Sequence, residues 1–118
     1  MSEQQTTSPF GVRGVVEGFY GPPYTFPERD GLIRFLGRHG FNAYLYAPKN
    51  DRQHRARWRE PYPPGVMAQF AATVATASAA GVAFCYALSP SPSIRVSDAG
   101  EFDLIVAKLD AFRALGVR

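Results

Sequence analysis

Apolar positions along the chain recur in one plan three times over: a short apolar run, a loop of unusual composition, and a longer stretch of helical period closed by glycine. In the first unit Val12, Val15 and Val16, between bounding glycines, predict a strand over 11–17. The loop Gly18-Phe19-Tyr20-Gly21-Pro22-Pro23 follows; then Thr25 and Glu28 have the spacing of a capping box, and Pro27 suits a first turn. Leu32, Ile33, Phe35 and Leu36 supply an apolar face, which predicts a helix over 27–38 ended by Gly40. The second unit has an aromatic-rich strand over 41–47, a break at Pro48, a basic loop, and a helix over 65–80 carrying Met67, Phe70, Ala71 and Val74. The third has a strand over 82–88, a Pro/Ser loop over 89–93, and a helix after Asp98. There Glu101 completes a second capping box, and Phe102, Ile105, Val106, Leu109 and Phe112 form the apolar face.

Each helix closes on Gly followed by an apolar residue: Gly40-Phe41, Gly81-Val82, Gly116-Val117. By that rhythm Val117-Arg118 is expected to open a fourth strand. Alternating strands and helices, with nearly continuous apolar strands, predict an α/β fold whose parallel sheet is covered by helices, either doubly wound or a barrel. An eight-unit barrel takes about 250 residues, so three units would be less than half of one. An open sheet needs no further residues but would rarely end on the first residues of a strand.

Composition sharpens the class. With 118 residues, 46% hydrophobic and 14% aromatic, the chain has the apolar content of a globular domain and not of a disordered one. Residues 1–9 are polar and read as a loose tail ahead of the domain at 10–118, with no signal-peptide pattern. No window approaches the roughly 18 apolar residues of a membrane span, so a cytoplasmic protein without membrane association is expected. Cys85 is the single cysteine and sits in the third apolar run, which predicts a buried structural thiol. The formal net charge is +3, and Lys49 to Glu60 alone holds five cations against two acids, also +3. That segment reads as a phosphate-binding patch, a solvated loop or a set of structural Arg pairs.

In either architecture ligands gather at the carboxyl ends of parallel strands, here the loops 17–24, 48–60 and 89–93. Gly18 and Gly21 flank Phe19-Tyr20, a pattern that fits a ligand wall approached by backbone and fits a tight turn around a core aromatic equally. No dinucleotide or P-loop glycine pattern occurs, and no His/Cys/Asp cluster has metal spacing, so neither cofactor nor metal is expected. Lys49, directly after Pro48, is placed to donate to hydroxyls, with Asn50 and Asp51 beside it. His54 reads as a surface or structural histidine, and Trp58 as a platform for a sugar or Arg, or as packing under the loop. Glu17 and Asp51 are the acids nearest the strand ends, with Glu60 further along, and no adjacent carboxylate pair of the kind glycoside hydrolysis ordinarily needs is present.

Three blocks in order carry a resemblance: Gly14-Val15-Val16-Glu17-Gly18-Phe19-Tyr20-Gly21, Tyr44-Leu45-Tyr46-Ala47-Pro48-Lys49 and Trp58-Arg59-Glu60-Pro61-Tyr62, continued by Leu88-Ser89-Pro90 and Ile94-Arg95. From about Phe10 to Arg118 the chain resembles glycoside hydrolase family 84, that of the O-GlcNAcases and of bacterial β-N-acetylglucosaminidases historically called hyaluronidases. The resemblance implies the N-terminal three βα units of a (β/α)8 barrel that removes terminal N-acetylglucosamine from glycoconjugates, the substrate's acetamido carbonyl attacking to form an oxazoline. It implies that Gly18 offers its backbone carbonyl to a sugar hydroxyl and that Lys49 donates to the sugar. The family's two adjacent aspartates stand at the end of its fourth strand, so no catalytic residue is expected within these 118 residues. Asn50 departs from the Asp usual after that lysine.

Two further readings belong to other classes. One is a natural short protein that binds sugars or a partner without catalysis. The other makes the Arg-rich loop a nucleic-acid site, which is disfavoured because phosphate binding recruits a broader basic surface, so no nucleic-acid partner is expected.

Overall fold

The computed structural model describes residues 8–117. Residues 1–7, most of the expected tail, and Arg118, the second residue of the expected fourth-strand opening, lie outside the described residues, while Val117 is described and lies in no strand. The element order is β1 (Gly14–Glu17), α1 (Phe26–Arg38), β2 (Ala43–Tyr46), a 3-10 turn at Arg52–His54, α2 (Pro64–Ala79), β3 (Ala83–Tyr86) and α3 (Ala99–Arg113). The strands form one parallel sheet in the order β1-β2-β3, with Val15 opposite Tyr44 and Tyr44 opposite Phe84.

The strands are shorter than the apolar runs because side chains and loop amides take over the pairing at their ends. Before β1 the Arg13 amide donates to the Asn42 side chain at 2.7 Å, and just beyond β2 the Ala47 amide donates to the Glu17 carbonyl at 3.0 Å. The three glycine stops share one cause. Gly40, Gly81 and Gly116 have φ of 82°, 74° and 95°, the left-handed region that lets the next amide turn back onto the helix. Phe41, Val82 and Val117 accordingly donate to Leu36, Ala77 and Phe112 five residues upstream.

All three helices pack on one face of the sheet. Tyr44 and Tyr46 stack beside Phe84 and Tyr86, Phe70 of α2 meets Tyr46 edge-on at 5.0 Å, and Phe112 of α3 stacks on Tyr86 at 3.9 Å. Arg29 of α1 reaches Glu17 on that same face. The other face carries Gly14 and Val16, Ala43 and Leu45, Ala83 and Cys85; Val16 is 59% exposed there. Cys85 is thus half-buried on the uncovered face, not enclosed as its apolar run suggested.

The first capping box forms as spaced, Thr25 and Glu28 serving each other's amides. The second does not. Asp98 caps Gly100 at 2.9 Å, but Glu101 turns away to the Arg59 guanidinium, a charged partner stronger than a cap amide. The face of α3 is corrected as well: its buried residues are Glu101, Lys108 and Phe112, while Phe102, Val106 and Leu109 stay exposed. Two charged contacts and the Phe112 stack set that orientation against the pull of the apolar stripe.

Candidate functional site

The loops that follow the strands emerge together at the carboxyl edge of the sheet, and backbone bonds couple them. The Lys49 amide donates to the Phe19 carbonyl at 3.2 Å, and the Ser89 amide to the His54 carbonyl at 2.8 Å. Gly18 and Lys49 therefore belong to two loops stitched one to the other. Gly18 follows β1 directly, and among the described residues no donor claims its carbonyl. A Cβ at Gly18 would stand 3.1 Å from Val16 Cγ1, so a larger residue would crowd the strand. Lys49 is half-buried in the turn that the Asp51 amide closes on the Pro48 carbonyl at 3.1 Å.

Glu17 and Asp51 are both fully engaged. Glu17 is 1% exposed and receives Arg29 at 2.7 and 2.9 Å, the Tyr44 hydroxyl at 2.6 Å and the Tyr24 amide at 3.1 Å. Asp51 accepts from the hydroxyls of Tyr46 and Tyr62 and from the His54 amide. Burial, and after it Glu17 for Tyr44, Asp51 for Tyr46, and Tyr86 with Asp51 for Tyr62, push these hydroxyls far above their ordinary value, so each remains a donor. Both acids are thereby tied to the loops they shape.

His54 is buried, with Nδ1 donating to the Ala87 carbonyl at 2.6 Å. Burial lowers its pKa, the Ala87 carbonyl and Asp51 oppose that, and the Arg55 and Lys49 charges add to it; the ring is a neutral structural tie. Trp58 is 0% exposed, its indole donating to Ser93 at 3.0 Å, and Arg59 lies 4.5 Å over its ring. It cannot be a sugar platform, because its faces are already covered. By contrast Phe19 and Tyr20 are 39% and 74% exposed, so the glycine-flanked loop presents aromatics at the edge and does not wrap a core aromatic.

The basic segment divides. Arg57 pairs with Glu60 and Arg59 with Glu101, whereas Arg52 and Arg55 make no ion pair among the described residues. They line, with Lys49, Asn50, Ala56 and Pro92, a groove of about 600 Å³. Arg29 and Lys108 were not singled out from the sequence, and Glu101 was read only as part of a helix cap. The available signal was positional: Arg29 stands one turn before Ile33 on α1, and Lys108 one turn before Phe112 on α3, each a charge on a core stripe. Among the described residues no three His, Cys, Asp or Glu side chains converge to hold a metal, and no helix is long and apolar enough to cross a membrane.

Residues 13–118 match a family model described as β-N-acetylglucosaminidase. The chain is 40% identical over 105 residues to the protein O-GlcNAcases of rat and mouse, which covers 89% of this chain and 12% of each relative. A solved mutant of the O-GlcNAc hydrolase of Thermobaculum terrenum superposes with a TM-score of 0.89 at 38% identity, over 92% of this chain and 23% of that one. The chain thus spans a small part of its relatives, yet it is matched almost throughout, and the motif blocks read from its sequence lie within the matched residues. It belongs to the β-N-acetylglucosaminidase family.

Proposed function

We propose that the chain forms the first three βα units of a (β/α)8 barrel that removes terminal N-acetylglucosamine from glycoconjugates with retention of configuration. The sheet supports the barrel over an open doubly wound sheet. Its strands run in consecutive order with every helix on one face, whereas a doubly wound sheet carries helices on both. The uncovered face carries Val16, Leu45 and Cys85, and branched apolar side chains such as Val16 and Leu45 are the kind that fill a barrel interior.

In this reading the sugar lies at the carboxyl edge, its hydroxyls taken by the Gly18 carbonyl and the Lys49 ammonium. The observation that carries it is the Lys49-to-Phe19 backbone bond, which joins the two loops bearing those groups. The acetamido oxygen of the substrate attacks its own anomeric carbon, the bond to the aglycone oxygen breaks, and water opens the resulting oxazoline. The aspartate pair that would polarise the acetamido group and carry the proton is assigned to sequence beyond these 118 residues, since Glu17 and Asp51 are committed to structure.

The test is hydrolysis of an aryl N-acetyl-β-glucosaminide by the full-length protein, followed by NMR. A first-formed β-anomer supports the reading. No turnover, or an α-anomer, refutes it. The 118-residue chain alone should give no turnover above a buffer control.

A further inference from the structure

Lys108 has no part in the sugar contacts just described, yet it is only 7% exposed. It stands on α3 two turns after Glu101, on the same face, over the loop between β2 and α2. Its ammonium donates to three carbonyls of that one loop: Gln53 at 2.6 Å, Trp58 at 3.0 Å and Glu60 at 2.5 Å. None of the three accepts another backbone hydrogen bond among the described residues. An ammonium has three protons, so donor and acceptors match one for one. The Tyr62 ring, 4.8 Å from Nζ, lies against the same charge.

Burial pushes Lys108 down to about 8, while Asp51 and Glu60 pull it up. A depressed lysine is also what a general base or nucleophile shows. The geometry decides against that role, since every proton of Lys108 is aimed at main chain. What it grips leads to the edge instead. Gln53 lies in the 3-10 turn Arg52–His54, that turn is capped by Asp51, and Asp51 closes the turn bearing Lys49. Glu101, holding Arg59 at 2.6 Å, secures the far end of the same loop.

We propose that Lys108 is a positioning residue, a three-carbonyl latch by which α3 sets the β2–α2 loop and through it the direction of Lys49. This rests on reading Lys49 as a sugar donor. The experiment combines hydrogen exchange of residues 50–60 with inhibitor affinity in the full-length protein, for Lys108→Met, Lys49→Ala and the double variant. In Lys108→Met the loop amides should exchange at least about tenfold faster while the strand amides keep their protection. Inhibitor affinity should fall about three- to tenfold, and in hydrolysis of the aryl glycoside the loss should appear in KM more than in kcat. The double variant should bind no worse than Lys49→Ala, because Lys108 acts through Lys49. Should Lys108→Met fail to fold, Lys108→Gln, whose amide still donates to two carbonyls, carries the same comparison. Unchanged loop exchange overturns the latch, and additive losses in the double variant overturn the link to Lys49. A silent Lys49→Ala strikes the sugar reading and that link but leaves the exchange result to judge the latch by itself.

Discussion

Replacing Arg29 by methionine should be among the most damaging single changes in the chain, and its cost can be worked from the contacts. The guanidinium donates twice to Glu17, at 2.7 and 2.9 Å, and once to the Tyr24 carbonyl at 2.7 Å, and it lies 4.7 and 4.8 Å from the Phe26 and Tyr46 rings. Methionine keeps much of the apolar stem and removes the charge. Glu17, 1% exposed, is then left with the Tyr44 hydroxyl and the Tyr24 amide as its donors. Breaking a buried pair from one side typically costs about 3–5 kcal/mol, because the remaining charge stays desolvated. Against a total of about 5–15 kcal/mol for a small domain, that is about a fifth or more of the stability. At about 4–8 °C per kcal/mol the melting temperature should fall by at least about 12 °C. The assay is urea denaturation followed by far-UV circular dichroism on wild type, Arg29→Met and Glu17→Gln/Arg29→Met. The double variant removes the orphan charge and should recover about 1–2 kcal/mol of the loss. A loss below about 1 kcal/mol in the single variant, or a double variant no more stable than the single, would refute the assignment of this pair as the anchor of the first loop.

Lys49→Ala in the full-length protein should weaken inhibitor binding about ten- to a hundredfold, the loss of a charged donor of about 1.5–3 kcal/mol, with the melting temperature unchanged. Gly81→Ala should cost about 1–2 kcal/mol in denaturation, since alanine must adopt the left-handed conformation there; the cost is backbone strain alone, because an added Cβ would meet nothing within 4 Å. Glu101 is held at about 2 by the Arg59 guanidinium and then the Arg95 amide, below its ordinary 4.5. Its contribution is therefore present above about 4.5 and lost as pH falls toward 2, so the stability gap between wild type and Glu101→Gln, measured by denaturation, should narrow across that window.

The elements and their order were legible because each rested on a local rule. Thr25 with Glu28 made a cap, and Gly40, Gly81 and Gly116 each supplied the positive φ that ends a helix. What the spacing could not reveal was which side chain would win when two uses competed. Glu101 has the same offset from Asp98 as Glu28 from Thr25, but Arg59, distant in sequence, outbids the cap amide. In α3 the apolar stripe Phe102, Val106, Leu109 looked like the core face, and tertiary charges turned the helix so that Glu101 and Lys108 face inward. Gly18 and Lys49 were legible as positions, at strand ends, whereas the bond that joins their loops depends on sheet register, which no local pattern encodes.

Buried charge in this chain is concentrated at the loops, and there is a physical reason for the arrangement. Strand ends must release the backbone from the ladder, so the loops carry carbonyls and amides with no regular partner, and burying them requires donors and acceptors brought from elsewhere. Arg29 and Tyr44 supply them to the first loop, from α1 and from the neighbouring strand. Lys108 and Glu101 supply them to the second, from the helix of the following unit. The third loop is tied backwards, by Ser89 to His54 and by Ser93 to Trp58 and Arg59, and forwards to its own helix through the Arg95 amide and Glu101. Each loop thus draws at least one of its ties from a unit other than its own. The edge where Gly18 and Lys49 stand is consequently a cooperative structure: loosening α3 at Lys108 disturbs a loop whose nearest strand is β2, while the sheet beneath keeps its register.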